Sequence, residues 1–290
     1  MILFVSASPF LNNNIYSFSP MFLDDKFVTK YNYLMKKLSN SFLLFVFAMC
    51  LNGLLVTNLQ AAGLKTDRTH KETPNPDGKT VVSDYIKAIG GVDAIKKLNS
   101  TNATGTLSVQ GMSMDVTQKR MAPNKTAQTI VMNGQTAAKT VFNGTKGYQE
   151  QMGNHMDMTD DQMADMKTQT AIVPQVDYLT NPSYKLSVLG TEKINNADAY
   201  KLLVTMPSGK SDTEFYDVAS KLLVKQIISR TMNGQDAMAT YEFSDYKKVA
   251  DVMLPYKLSL SIASGTMSQS IDINLTDIKV NEGVTDADFE

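Results

Sequence analysis

Between Met253 and Leu275 the chain alternates apolar and polar residues with few breaks. Leu254, Tyr256, Leu258, Leu260 and Ile262 alternate with Lys257, Ser259 and Ser261. Met267, Ile271, Ile273 and Leu275 then alternate with Ser268, Ser270, Asp272 and Asn274. A period of two is the mark of a strand with one dry face and one wet face. A helix would repeat its apolar positions every three or four residues instead. The constraint on the fold is strong, because a sheet apolar on one face must hide that face. Curling around a helix or around a ligand achieves this.

The same period recurs upstream. "TGTLSVQGMSMDVTQKRM" puts Leu107 and Val109 on one strand, a turn at Gln110-Gly111, and Met112, Met114 and Val116 on the next. "ADAYKLLVTM", "DTEFYDV" and "KLLVKQIIS" read as three more strands, and Ala239, Tyr241 and Phe243 share a face of another. Met-Asn-Gly-Gln occurs twice, at 132–135 and 232–235. Asn-Gly favours a two-residue hairpin because both central positions tolerate φ > 0. Short links between strands predict an antiparallel meander.

Two stretches break the period. Val82, Tyr85, Ile86 and Ile89 fall at helical spacing, Gly90-Gly91 interrupts, and Val92, Ile95 and Leu98 continue. This predicts one helix with a break, or two short ones, packed on the sheet. Over 158–170, Thr159 is placed to cap, Asp160 and Asp161 suit a first turn, and Met163 and Met166 share a face. That predicts a second, inserted helix over or within the curved sheet.

Ahead of the strands lie three segments of different character. Residues 1–34 are rich in Asn, Tyr, Phe and Ser and carry no usable period, as upstream sequence translated ahead of a start at Met35 would. Residues 35–61 follow the plan of a secretory signal: Lys36 and Lys37, an apolar run from Phe42 to Val56, then small residues at Ala61-Ala62. The competing reading is a membrane anchor, but the run is about sixteen residues against the roughly twenty that span a bilayer. Residues 62–80 are charged, contain proline and read as a solvated tether, leaving one domain over 81–290. Export to the periplasm is the expected localisation, with association to the outer membrane as an extension of it.

Composition narrows the chemistry. Cys50, the only cysteine, lies within the apolar run, so a chain cut near Ala61 has no disulfide and no thiolate. The net charge is −1 for the whole chain; removing residues 1–61 takes four lysines and two aspartates and leaves −3. No basic block is present, which speaks against nucleic acid as a partner. His70 and His155 are the only histidines, and no His-Glu-x-x-His, Gly-x-Ser-x-Gly or phosphate-binding glycine loop occurs. No catalytic residue, metal site or cofactor is expected. Asp157, Asp160, Asp161 and Asp165 could recruit a cation; helix-start acids are the plainer account.

Methionine is the unusual residue. Of eighteen, nine fall between Met112 and Met166. Methionine is flexible and polarisable and suits surfaces that accommodate variable apolar partners, although ordinary core filling uses it too. The candidate lining of an acyl-chain site is Met112, Met114, Met132, Met163 and Met166, with Arg120 as a latch to a lid carbonyl or a lipid headgroup.

A leader, a helix and "ATGTLSVQG…VTQKRMAPNKTAQTIVMNG" resemble the lipoprotein-sorting, lipoprotein carrier-like family. Gly105, Gln110, Arg120 and Pro123 stand in places comparable to that family's Gly-x-x-x-x-Gln and following Arg-Pro turn. The likeness covers roughly 81–289. "YIKAIGGVDAIKKL", "GTEKINNADAYKL" and "YEFSDYKKVADVMLPYKL" are also similar in style to secreted Bacteroidetes proteins and to the tail domain of some of their zinc-peptidase chains of the M16 type. The first resemblance implies a mainly β fold with helices (α+β): a curved antiparallel meander, or open half-barrel, with an N-terminal helix and one inserted helix as a lid. It implies a non-catalytic binding protein whose partner is a lipid or an acylated protein. The second implies an interaction module serving an envelope peptidase or outer-membrane components.

Overall fold

The computed structural model describes residues 75–290, apart from 170, 233, 234 and 266. The upstream segment, the leader, most of the tether and the tip of the second Asn-Gly hairpin therefore lie outside the described residues. The first six strands are β1 (Ser100–Val109), β2 (Met112–Met121), β3 (Lys125–Met132), β4 (Gln135–Phe142), β5 (Gly147–Gln151) and β6 (Asn154–Asp157). Seven more follow: β7 (Lys185–Ile194), β8 (Ala197–Thr205), β9 (Ser211–Asp217), β10 (Leu223–Met232), β11 (Gln235–Val249), β12 (Val252–Ser264) and β13 (Met267–Val280). All belong to one sheet in the order β6-β5-β4-β3-β2-β1-β13-β12-β11-β10-β9-β8-β7.

Each run is a meander, and the two runs meet where β1 pairs with β13. The pairing is antiparallel throughout, as the short connections predicted. The strands β6 and β7 end the order and do not pair with each other, so the sheet is an open half-barrel. The first Asn-Gly turn joins β3 to β4 with φ of 52° at Asn133 and 78° at Gly134, the left-handed pair such a hairpin requires. Met232 pairs with Gln235 across the second hairpin, as in the first.

Curvature comes from irregularities that bend a ladder. One falls between Thr104 and Gly105, where β1 changes register against β13. A Cβ on Gly105 would lie 2.2 Å from the Asn274 carbonyl oxygen and 2.6 Å from Leu275 Cα, so only glycine permits this approach. Further shifts occur at Val188/Gly190 and Leu223/Lys225.

Among the described residues four helices accompany the sheet: α1 (Gly78–Ala88), α2 (Val92–Ile95), α3 (Asp160–Gln169) and α4 (Gln175–Thr180). Asp77 caps α1 by accepting from the Lys79 amide at 3.2 Å. Val81, Val82, Tyr85, Ile86 and Ile89 are buried against Leu202, Val204 and Tyr216 on the concave face. Each such side chain removed from water contributes roughly 1.5–3 kcal/mol. The chain turns at Gly90 and Gly91, with φ of 126° and 84°, which explains the break read in the sequence. The Ile89 carbonyl accepts from the Met253 amide at 2.9 Å and joins α1 to β12.

The inserted helix α3 lies where the sequence placed it. Thr159 and Gln162 form a reciprocal cap: the Gln162 amide donates to Thr159 Oγ1 at 3.3 Å, and the Thr159 amide donates to Gln162 Oε1 at 2.8 Å. Met163 and Met166 pack with Phe142 and Met158. On the opposite, convex face a 3-10 turn, Asp286–Phe289, buries Phe289 against Ala127 and Val141. Lys119 pairs with Asp288, and Lys125 with Asp286, which pins this turn over β2 and β3.

Candidate ligand cavity

The concave face is not filled along its whole length. A cavity of about 310 Å³ remains between the sheet and the helices α1 and α4. That is at the lower end of the roughly 300–1,000 Å³ typical of small-molecule pockets. Its floor is apolar and is built by three central strands, with Phe243 on β11, Leu258 on β12, and Ile273 and Leu275 on β13. Phe243, Leu258 and Ile273 are direct cross-strand neighbours, so alternation alone puts them on one face. Tyr85 and Ile89 of α1, and Ile172, Val173, Gln175 and Tyr178 in and before α4, form the cover.

The helix α4 is held down by a buried carboxyl. Glu214 on β9 is fully buried, and its side chain receives four donors. The Tyr178 hydroxyl donates to Oε1 at 3.1 Å, Gln226 Nε2 at 3.4 Å and Gln175 Nε2 at 3.5 Å. The Tyr216 hydroxyl donates to Oε2. Gln175 and Tyr178 come from α4, Tyr216 from β9 itself, and Gln226 faces Glu214 across the β9–β10 ladder. Three donors converge on Oε1 and one reaches Oε2, and two of the four come from α4, which marks Glu214 as a fastening. Burial pushes its pKa up to about 7; the nearby Asp212 carboxylate adds to this, and the donated hydrogen bonds oppose it. The Tyr85 hydroxyl, buried and facing the same carboxyl, titrates well above the ordinary tyrosine range, chiefly through desolvation.

The opposite wall is polar and carries a cation. Arg120 on β2 lines the cavity together with Thr101, Gln118 and Gln128. Its Nε is sealed from solvent and has no hydrogen-bond partner. Burial holds its pKa below the usual arginine range. Gln128 is 3% exposed, and its Oε1 is also buried without a partner.

Of the side chains singled out from the sequence, Arg120 is in the cavity wall and the five methionines are not. Met112 and Met114 stand on the same face of β2 as Val116, Gln118 and Arg120, but nearer the hairpin end. Met114 is buried there opposite Leu107, and Met132 ends β3 on the face that carries Gln128 and Ile130. Met163 and Met166 serve the α3 contact with Phe142. The methionines that do line the cavity are Met206 and Met253.

Sequence reasoning missed α4 and the Glu214 fastening. Pro174 before the helix and Asn181-Pro182 after it were available as boundary signals. Glu214 sat within a strand already recognised, where nothing local states which alternate set faces inward. Among the described residues no three His, Cys, Asp or Glu side chains are grouped as a metal site. His155 is exposed and lies 3.2 Å from Asp157.

Neither a family model nor a curated protein matches the chain. Solved structures do. A domain named for outer membrane lipoprotein sorting, from Vibrio parahaemolyticus, superposes with a TM-score of 0.51 at 13% identity, over 73% of this chain and 96% of that one. A DUF1329 family protein from Desulfovibrio piger and a LolA superfamily protein from Nitrosomonas europaea each give 0.49 at 10% identity, over 74% of this chain and 98% of theirs. The likeness is one of fold: this chain shares the open antiparallel half-barrel of the domain named for lipoprotein sorting.

Proposed function

We propose that this half-barrel is a non-catalytic binding protein of the periplasm that holds an apolar ligand, either a lipid or the acyl chains of a lipoprotein. The observation that carries the reading is the cavity of about 310 Å³ with an apolar floor. A sheet with one apolar face must cover it, and here the cover leaves space that apolar matter would fill favourably. The secretory plan of residues 35–61 supports export. The neighbour named for lipoprotein sorting supports a carrier-like role by analogy of fold.

In this reading Arg120 and the floor residues take the place of the methionine lining expected from the sequence. Organic extraction and mass spectrometry of the protein purified from the periplasm test the proposal. Acyl chains in near-equimolar amount are expected; protein that carries none, and also fails to take up an added fatty-acid probe, would overturn it.

A further inference from the structure

The cavity's two long walls differ in kind. On the β9 and β10 side Gln175, Tyr178 and Gln226 are engaged with the buried Glu214, and Asp212 stands in the lining beside them. On the β1 to β3 side the polar groups are not so engaged. Arg120 lies opposite Thr101 on β1 and Thr126 on β3, so its cross-strand neighbours are neutral. No acidic side chain among the described residues forms an ion pair with it. In the next row Gln118 faces Gln128, which faces Thr140. Gln128 and Thr140 are buried, giving a polar stripe across an otherwise apolar face.

A buried donor without a partner is costly, by about 1–3 kcal/mol and more for a charged group. Folded proteins rarely leave one without a counterpart. A guanidinium presents five donors in a planar fork suited to carboxylate or phosphate. The cavity also has limited room. Its volume of about 310 Å³ lies at the small end of ligand pockets. A space of that size suits one hydrocarbon chain better than a bundle of three.

Resting on the apolar-ligand reading, we infer that the natural occupant is a single-chain amphiphile with an anionic head, its carboxylate or phosphate set on Arg120 and its tail on the floor formed by Phe243, Leu258 and Ile273. Gln118 and Gln128 supply further polar contacts to the head from the adjacent row. Removing the anion leaves the cation unpaired, so an alcohol of the same length binds less well.

The test uses the full exported chain and three probes of equal chain length: dodecanoate, dodecyl phosphate and dodecanol. Affinities are measured at pH 8 by displacement of an environment-sensitive apolar dye. At least one anionic probe is expected to bind about tenfold or more tightly than dodecanol, the size of one charge-assisted hydrogen bond. A preference for dodecanoate identifies a fatty acid as the source of the head, and a preference for dodecyl phosphate identifies a phospholipid head. Arg120→Gln should bring the ratio of anion to alcohol affinity close to one, and Arg120→Lys should keep part of it. Dodecanol binding as tightly as both anions to the unaltered chain overturns the head-group assignment and leaves the apolar-ligand reading standing. Failure of all three probes to displace the dye overturns both.

Discussion

The Tyr178 hydroxyl, on the short helix that covers the cavity, donates to Glu214 Oε1 on β9 at 3.1 Å. This bond and the weaker one from Gln175 tie α4 to the sheet, and α4 has only six residues. A helix that short has little stability of its own, so its position depends on such tertiary ties. Tyr178→Phe removes the donor and keeps the ring. Global stability should fall by about 1–2 kcal/mol, read as the urea midpoint. Exchange of a bound apolar probe should also become faster, because α4 opens more often. An unchanged midpoint with unchanged exchange would show that the bond does not hold the cover.

Glu214 also makes stability depend on pH, and the sign follows from its raised pKa. Its ordinary value is 4.5, and burial pushes it up to about 7. Below 4.5 the carboxyl is neutral in both folded and unfolded chains, and the fold bears no charge penalty. Between 4.5 and 7 the unfolded chain gives up its proton while the folded one keeps it, so stability falls as pH rises. Above 7 the effect levels off. A shift of this size corresponds to about 3 kcal/mol across the window. Asp217 and Asp288 are held below the ordinary aspartate range by their hydrogen bonds despite partial desolvation; their contributions are lost only as pH falls through more acid values. Urea titrations at pH 5, 6 and 7 should show the decline, and Glu214→Gln should flatten it. A stability that rises over this range, or a slope that survives in Glu214→Gln, contradicts the assignment.

Gly105 permits the close crossing of β1 and β13 that joins the two meanders. Gly105→Ala sets a methyl group against the backbone of Asn274 and Leu275, where no flexible side-chain end can give way. A loss of about 1–3 kcal/mol is expected, with hydrogen exchange accelerated first along the β1–β13 ladder. Gly111→Ala is the useful contrast. No atom lies within 4 Å of its Cβ, but its φ of 79° strains any side chain, so that loss should remain local to the hairpin. If Gly105→Ala matched the unaltered chain in stability and exchange, the crossing would not be as tight as described.

Strands were readable because each carries its own evidence. Leu254 to Ile262 and Met267 to Leu275 alternate so regularly that existence, direction of the faces and antiparallel partnership follow from local pattern. The Gly90-Gly91 break and the Thr159 cap were equally local. The β1–β13 pairing was not, since it joins residues about 170 positions apart and no local rule specifies it. Alternation also leaves parity open on a strand such as β9. Asp212, Glu214 and Tyr216 face inward while Phe215 is buried on the outer face with Ile194 and Ala199. The five methionines show the same limit. Period two put Met112 and Met114 on the correct face, but which part of that face stays hollow depends on α1 and α4, and α4 was not seen.

The central claim is that apolar matter occupies the space between the sheet and its covering helices. A crystal structure with a terminally brominated dodecanoate measures this directly, because the anomalous bromine signal locates the tail. The account predicts the bromine within the cavity, against Phe243, Leu258 and Ile273. Bromine found only on the outer face of the sheet, or nowhere at ligand concentrations well above those of the protein, would contradict it.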